Sequence, residues 1–163
     1  MPIQAPSIAD LPPAMGASLA APEAPRGELA ARTLAMPADT NPAGDIFGGW
    51  IMAQMDAAAG ITATRRAQGR TVTVAVTDMA FLRPVKVGDV VCCYTDLVRV
   101  GRTSLTLHVE VWVLRQGRGE RVKVTSAEFT FVALDEGGRP CPIPRGDALS
   151  EHHMAAALQP EAV

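Results

Sequence analysis

The sequence predicts an α+β fold, in which one long helix packs against the face of an antiparallel sheet. One helix-like segment is followed by four strand-like runs, an order that does not suit the βαβ repeats of a parallel sheet. The chain has 163 residues and is 48% hydrophobic, which is enough for one domain with a buried core. Its four Phe, two Trp and one Tyr all lie between Phe47 and Phe131, so we expect the core in that stretch.

Runs rich in β-branched residues predict the strands, and Gly-containing turns separate them. The clearest run is residues 104–114, in which Leu and Val alternate with Thr, His, Glu and Trp. The other predicted strands are residues 71–82, 90–100 and 122–134, with a short strand at 29–35 before the helix. Pro and Gly cluster in residues 37–49, which predicts a structured loop leading into the helix.

The two ends of the chain differ from the centre in composition. Residues 1–28 hold six of the thirteen prolines and show neither a strand nor a helix period, so they predict a mobile tail. They lack the basic start and apolar block of a signal peptide, and they are not Arg-rich like a transit peptide. We expect a single domain at residues 29–146 and a polar tail, with a composition suited to a short helix, at 147–163.

Charge and cysteine content exclude several classes of function. A net charge of −2 and a pI near 5.9 leave no large basic surface for nucleic acid, although a few local Arg or Lys residues could still hold a small anion. No apolar run approaches the length that spans a bilayer, so no membrane insertion is expected. Three cysteines, two of them adjacent, form neither a disulfide framework nor a zinc site. A reduced, cytoplasmic compartment is the simplest interpretation.

Residues 48–64 predict a helix without a hydrated face, because its second face lacks the charges of a surface helix. The first face carries Ile51, Met55, Ala58 and Thr62, with Phe47 and Gln54 beside them. The opposite face carries Gly49, Met52, Ala53, Asp56, Ala59, Gly60 and Ala63, and Arg65 and Arg66 follow as the expected end. We therefore expect the sheet to cover one face and a second partner to approach the other.

Asp56 is the one charged residue within this predicted helix. It either hydrogen-bonds a neighbouring loop or acts as a general base or nucleophile. Gly48 and Gly49 at the helix start either relieve crowding in a tight turn or leave backbone amides open to a ligand carbonyl or oxyanion. Asp45 is most simply an N-cap.

The spacing of these groups constrains how they could act together. Eight residues separate Gly48 from Asp56, or roughly 12 Å along a helix. One chain therefore cannot bring both groups to the same carbonyl. If both are catalytic, a two-fold dimer must place the helix start of one chain beside Asp56 of the other.

Residues 32–56, RTLAMPADTNPAGDIFGGWIMAQMD, closely resemble the YciA-type acyl-CoA thioesterases, relatives of the brain-type acyl-CoA hydrolases. Further matches are FLRPV at 81–85, VGDVVCCY at 87–94, VEVWV at 109–113 and FTFVA at 129–133. The likeness covers about residues 29–146 and implies a hotdog fold, a long central helix wrapped by a bent antiparallel β-sheet. It also implies pairing of two subunits into a homodimer, the minimum active unit, and commonly a hexamer built as a trimer of dimers.

The resemblance implies hydrolysis of acyl-CoA to a free acid and CoA, with no metal and no separate cofactor, since CoA is part of the substrate. Asp56 falls at the position of the catalytic helix carboxylate, and Gly48 and Gly49 at the carbonyl-polarising amides. Asp45 stands where brain-type relatives carry a catalytic Asn, which implies a supporting role. Whether Asp56 activates water or forms an anhydride stays open.

CoA phosphates call for basic residues and hydroxyl or backbone donors. In the family, the turn formed here by Gly101, Arg102, Thr103 and Ser104 contributes such contacts, chiefly through Ser104. Arg83 is a second candidate, although either arginine could be an ordinary exposed charge. Two alternatives to a thioesterase are a hotdog dehydratase, which would need a catalytic His that is missing near residues 45–56, and a non-catalytic acyl-CoA-binding module.

Overall fold

The structure, a computed structural model, describes residues 24–145, which form one α-helix and a five-stranded sheet. The strands are β1 (Glu28–Leu34), β2 (Thr71–Phe81), β3 (Val90–Val100), β4 (Ser104–Leu114) and β5 (Arg121–Ala133). The helix α1 (Gly48–Ala67) lies between β1 and β2 in the chain, and short 3₁₀ turns occupy Pro37–Asp39 and Arg115–Gly117.

The sheet has the order β1-β3-β4-β5-β2, and every neighbouring pair is antiparallel. The helix α1 contacts all five strands, so the sheet wraps around it as a hotdog fold. The predicted α+β class and central helix are confirmed. The predicted bounds of β3 and β4 agree with the structure, those of β2 differ by one residue at one end, and those of β1 and β5 differ by one residue at both ends.

The helix is longer than predicted. It continues through Arg65 and Arg66, the expected end, to Ala67. Gln68 then takes a left-handed conformation, φ 52°, and its N–H donates to the carbonyls of Thr64 and Arg65. The two arginines lie in the last turn, where positive charge is favourable next to the helix C-terminus, so they stabilise this end without terminating the helix.

The core side of α1 is wider than the sequence pattern predicts. Ile51, Met55 and Ala58 are buried as expected, but Ala59 and Ala63, predicted for the opposite face, are fully buried too. The curled sheet encloses more than half of the helix and reaches these small residues. What stays uncovered is a strip that we call the open face, formed by Met52, Ala53, Asp56, Ala57 and Ile61.

The outer surface of the sheet, opposite the helix, carries a buried polar network centred on Glu110. The Glu110 carboxylate accepts hydrogen bonds from Lys123 Nζ at 2.7 Å, Trp112 Nε1 at 2.8 Å and the Arg26 backbone N–H at 3.0 Å. Burial alone would raise the pKa of Glu110, but these donors outweigh it and lower the pKa to about 2. His108 Nε2 lies 3.3 Å from Glu110 Oε1, so His108 belongs to this network.

Most of the predicted tails lie outside the described residues. The description begins at residue 24, and β1 already starts at Glu28. The predicted C-terminal tail, residues 147–163, falls wholly outside it. Within residues 24–145, no helix combines the length and apolarity that a bilayer crossing requires.

Candidate active site

The helix α1 begins with two glycines whose surroundings differ. Phe47 is the N-cap and makes no capping bond with its side chain, and the first amides of a helix have no intrahelical acceptor. A Cβ on Gly48 would lie 3.3 Å from Phe81 Cζ, whereas a Cβ on Gly49 would meet nothing within 4 Å. Gly48 thus allows close packing of Phe81, and Gly49 leaves open space in front of the positive end of the helix.

Asp45 is not the N-cap of α1, contrary to the simplest prediction, because Phe47 holds that position. The Asp45 backbone closes a turn with Asn41 instead. The Asn41 N–H donates to the Asp45 carbonyl at 2.6 Å, and the Asp45 N–H donates to Asn41 Oδ1 at 3.1 Å. The Asp45 carboxylate forms an ion pair with Lys86 Nζ.

A cavity of about 340 Å³ opens at the start of the helix. Asp45, Gly48 and Arg83 line it together with apolar side chains that include Ile51 and Phe81. Three of the predicted site residues therefore meet in one chain, with Gly49 next to them in sequence. An apolar wall, exposed helix amides and a few charged groups suit a ligand that carries both a carbonyl and an apolar chain.

Asp56 lies two turns further along α1, on the open face, and does not line this cavity. Its Oδ1 accepts a hydrogen bond of 2.5 Å from Thr73 Oγ1 on β2. The bond from the neighbouring strand fixes the orientation of the carboxylate. Thr73 is not among the site residues predicted from the sequence. Its place near the start of the strand that follows the helix is the feature that could have indicated a contact with the helix.

The predicted phosphate-contacting turn lies at the other end of the sheet. The Gly101 N–H donates to the Ser104 carbonyl at 2.7 Å, which closes the β3–β4 hairpin next to the C-terminal end of β5. The Arg102 side chain is exposed and makes no hydrogen bond or ion pair with other residues in 24–145, while Thr103 and Ser104 are half-buried. The length of β4 separates this turn from the cavity by roughly 30 Å.

Arg83 has a structural contact of its own. Its Nη1 donates to the Lys123 carbonyl at 2.9 Å, which connects the cavity rim to β5. Arg83 is exposed and lines the cavity, so its positive charge is available to an anionic ligand there.

Other reactive side chains take no part in this arrangement. Burial, together with neighbouring Cys92, raises the pKa of Cys93 to about 12, which keeps the thiol protonated at neutral pH. No group of three His, Cys, Asp or Glu side chains between residues 24 and 145 could hold a metal ion. His108 lies on the outer surface of the sheet, away from the helix.

Comparisons with known proteins identify relatives of this chain. The thioesterase superfamily model matches residues 43–120. The chain is 56% identical over 123 residues to the acyl-CoA thioester hydrolase YciA of Salmonella typhimurium, a match that covers 74% of this chain and 92% of that protein. For YciA of Escherichia coli K12 the identity is 54% over 123 residues, with coverages of 74% and 93%.

Two solved structures are similar along most of the chain. The hexameric thioesterase y2039 from Yersinia pestis is 55% identical, with a TM-score of 0.73 and coverage of 76% of this chain and 100% of that chain. A mutant form of a hexameric broad specificity acyl-coenzyme A thioesterase is 51% identical, with a TM-score of 0.74 and coverages of 82% and 100%.

Proposed function

The chain belongs to the YciA-type acyl-CoA thioester hydrolases of the thioesterase superfamily, and on that basis we propose how its residues hydrolyse the thioester. The observation that carries the proposal is the bond between Thr73 and Asp56 on the open face of α1. A carboxylate held in one orientation on an otherwise apolar strip is suited to act on a substrate that a second subunit presents.

The thioester carbonyl binds at the start of the helix. The N–H groups of Gly48 and Gly49 donate to the carbonyl oxygen and stabilise the negative charge that develops there during attack. The apolar wall beside Phe81 accommodates the acyl chain. A thiolate is a good leaving group, so CoA leaves without a general acid. An amine or alkoxide leaving group would need one.

Asp56 supplies the base or the nucleophile. As a base, it removes a proton from water, the resulting hydroxide attacks the carbonyl carbon, and the C–S bond breaks to release CoA. As a nucleophile, its oxygen attacks the carbonyl carbon, the C–S bond breaks to release CoA as a thiolate, and water then hydrolyses the resulting anhydride. Both routes give a free acid and CoA, and Thr73 positions the carboxylate in either one.

We place the complete site between two chains. The start of α1 and Asp56 are too far apart within one chain, and a two-fold dimer that pairs the open faces of antiparallel helices brings them together. The same operation carries the Gly101–Ser104 hairpin of one chain toward the helix start of the other, where Arg102, Thr103 and Ser104 contact the CoA phosphates together with Arg83. Because the solved relatives are hexameric, we propose that three such dimers assemble into a hexamer.

Thiol release from a panel of acyl-CoAs tests the role of Asp56. We expect Asp56→Ala and Asp56→Asn to lower kcat by about 10³-fold, within the range for loss of a general base. Asp135→Asn is the matched control, since Asp135 carries an exposed carboxylate paired with Arg139. Equal activity in all variants would refute the assignment. A single turnover in ¹⁸O-labelled water identifies an anhydride whose Asp56 carbonyl is attacked by water, because the product acid then keeps an unlabelled oxygen of Asp56 and the label enters Asp56.

A further inference from the structure

The proposed oxyanion site shares its cavity with a negatively charged residue, Asp45, and Lys86 pairs with that residue. Asp45 and Gly48 line the same cavity, so the negative charge of Asp45 shares that cavity with the amides that receive the developing oxyanion in the proposed function. A fixed negative charge beside a second, developing one raises the energy of the transition state. The Lys86 ammonium forms an ion pair with this carboxylate.

Both partners of the ion pair are mounted on loops that the fold holds rigidly. Asp45 is fixed by its two backbone bonds with Asn41. The next residue, Ile46, donates its N–H to the Val85 carbonyl at 2.9 Å, which joins the two loops directly beside the pair. The relative position of Asp45 and Lys86 is thus set by the backbone and does not depend on the ion pair itself.

The buried carboxylate of Asp89 holds the loop that contains Lys86. Asp89 is almost completely buried, and its carboxylate accepts the Lys86 backbone N–H at 2.9 Å. Arg115 forms an ion pair with Asp89, and its Nη2 donates to the Pro84 carbonyl at 3.0 Å. This anchor uses the backbone of Lys86 and leaves its side chain for Asp45.

We propose that Lys86 is a positioning residue for the thioesterase reaction, which neutralises and orients Asp45 so that the helix amides can stabilise the oxyanion. The inference rests on the proposed function at Gly48 and Gly49. Lys86 itself does not touch the reacting atoms. Its effect is therefore expected on kcat, because the charge it offsets matters most when the oxyanion has formed.

The test is a double-mutant cycle measured with butyryl-CoA and lauroyl-CoA by thiol release. We expect Lys86→Met and Lys86→Gln to lower kcat by roughly fivefold with KM nearly unchanged. This is the size of effect expected when a water-screened interaction between two charges several ångströms apart is removed. Lys86→Arg should restore kcat. In the Asp45→Asn background, the same Lys86 substitutions should have no further effect, because the charge that Lys86 offsets has been removed.

Two measurements separate this role from others. Arg139→Met removes an exposed ion pair far from the cavity and should leave kcat unchanged, and thermal melts of all variants exclude a general loss of stability. A rise in KM that persists in the Asp45→Asn background would mean that Lys86 attracts the CoA phosphates, and it would overturn the proposal. Unchanged kcat in both Lys86 variants would also overturn it. Full activity of Asp56→Ala, by contrast, refutes the proposed function and not the cycle.

Discussion

The hydrogen bond from Thr73 to Asp56 is the contact on which the proposed catalytic role of Asp56 rests. A carboxylate on a solvated helix rotates among several side-chain conformations, and a base must present its lone pair in one of them. The 2.5 Å bond from Thr73 Oγ1 occupies one lone pair of Oδ1 and engages only one of the two carboxylate oxygens. Thr73 thus converts a flexible acid into an oriented one.

The first prediction concerns Thr73 alone. Thr73→Val keeps the shape of the side chain and removes the hydroxyl, so we expect kcat to fall by about tenfold, since an unoriented carboxylate reacts less often. Thr73→Ser keeps the hydroxyl and should retain most of the activity. Thiol-release assays with KM determined for each variant check this expectation. If the valine and serine variants lose equal activity, the hydroxyl has no such role.

At the scale of elements, the sequence predicts helices and strands that have a regular pattern, but it does not predict contacts between distant segments. The alternation in residues 104–114 identified β4 correctly, because period 2 is a local property of the chain. The Thr73–Asp56 bond depends on how β2 lies against α1, which no local pattern encodes. The sequence favours Asp45 as a helix cap because Asp is common at that position, yet Asp45 forms a turn with Asn41 and an ion pair with Lys86, and Phe47 is the N-cap.

The second prediction concerns the β4–β5 pair, where Glu110 lies. Its folded pKa of about 2 is below the ordinary value of 4.5, so its ionised form adds stability above pH 4.5, and that stability is lost as the pH falls toward 2. Glu110→Gln should lower the free energy of unfolding by about 2 kcal/mol at pH 7, because the charge-assisted hydrogen bond from Lys123 to Glu110 is weakened. Denaturant titrations from pH 7 to pH 2 should show the difference shrinking below pH 4.5.

Glu128→Gln provides the control for this prediction. Glu128 lies opposite His108 on the same outer surface, is half-buried and accepts no hydrogen bond through its side chain from residues 24–145. Its loss should change stability by less than about 0.5 kcal/mol. A difference between wild type and Glu110→Gln that stays constant across this pH range would contradict the assigned role of the Glu110 carboxylate.

At the scale of the whole molecule, the open face is the surface that the single chain leaves unfinished. Ile61 is 56% exposed there, although large apolar side chains are usually buried. Val74 and Val76 on the neighbouring edge strand β2 are exposed as well. The helix and this edge strand, which has a strand neighbour on one side only among residues 24–145, thus both expose apolar side chains, as expected for an interface with a second copy.

The third prediction tests that interface. Ile61→Glu places a charge in the proposed dimer contact, and we expect smaller assemblies by light scattering and at least a hundredfold loss of thiol release, since each site needs two chains. Val98→Glu is the matched control. Val98 is an apolar residue of similar exposure, 45%, but it lies on β3 and does not belong to the open face. A fully active Ile61→Glu monomer would refute a shared site.

The distance between the helix start and Asp56 also has a kinetic consequence for the cell. If the reactive groups are divided between subunits as proposed, an isolated chain has no turnover, and activity depends on subunit concentration as well as on substrate. Below the dissociation constant of the dimer, the hydrolysis rate should rise with the square of the amount of protein, and above it in simple proportion. Synthesis of the chain would then act as a threshold, with newly made subunits unable to deplete acyl-CoA until enough of them have met.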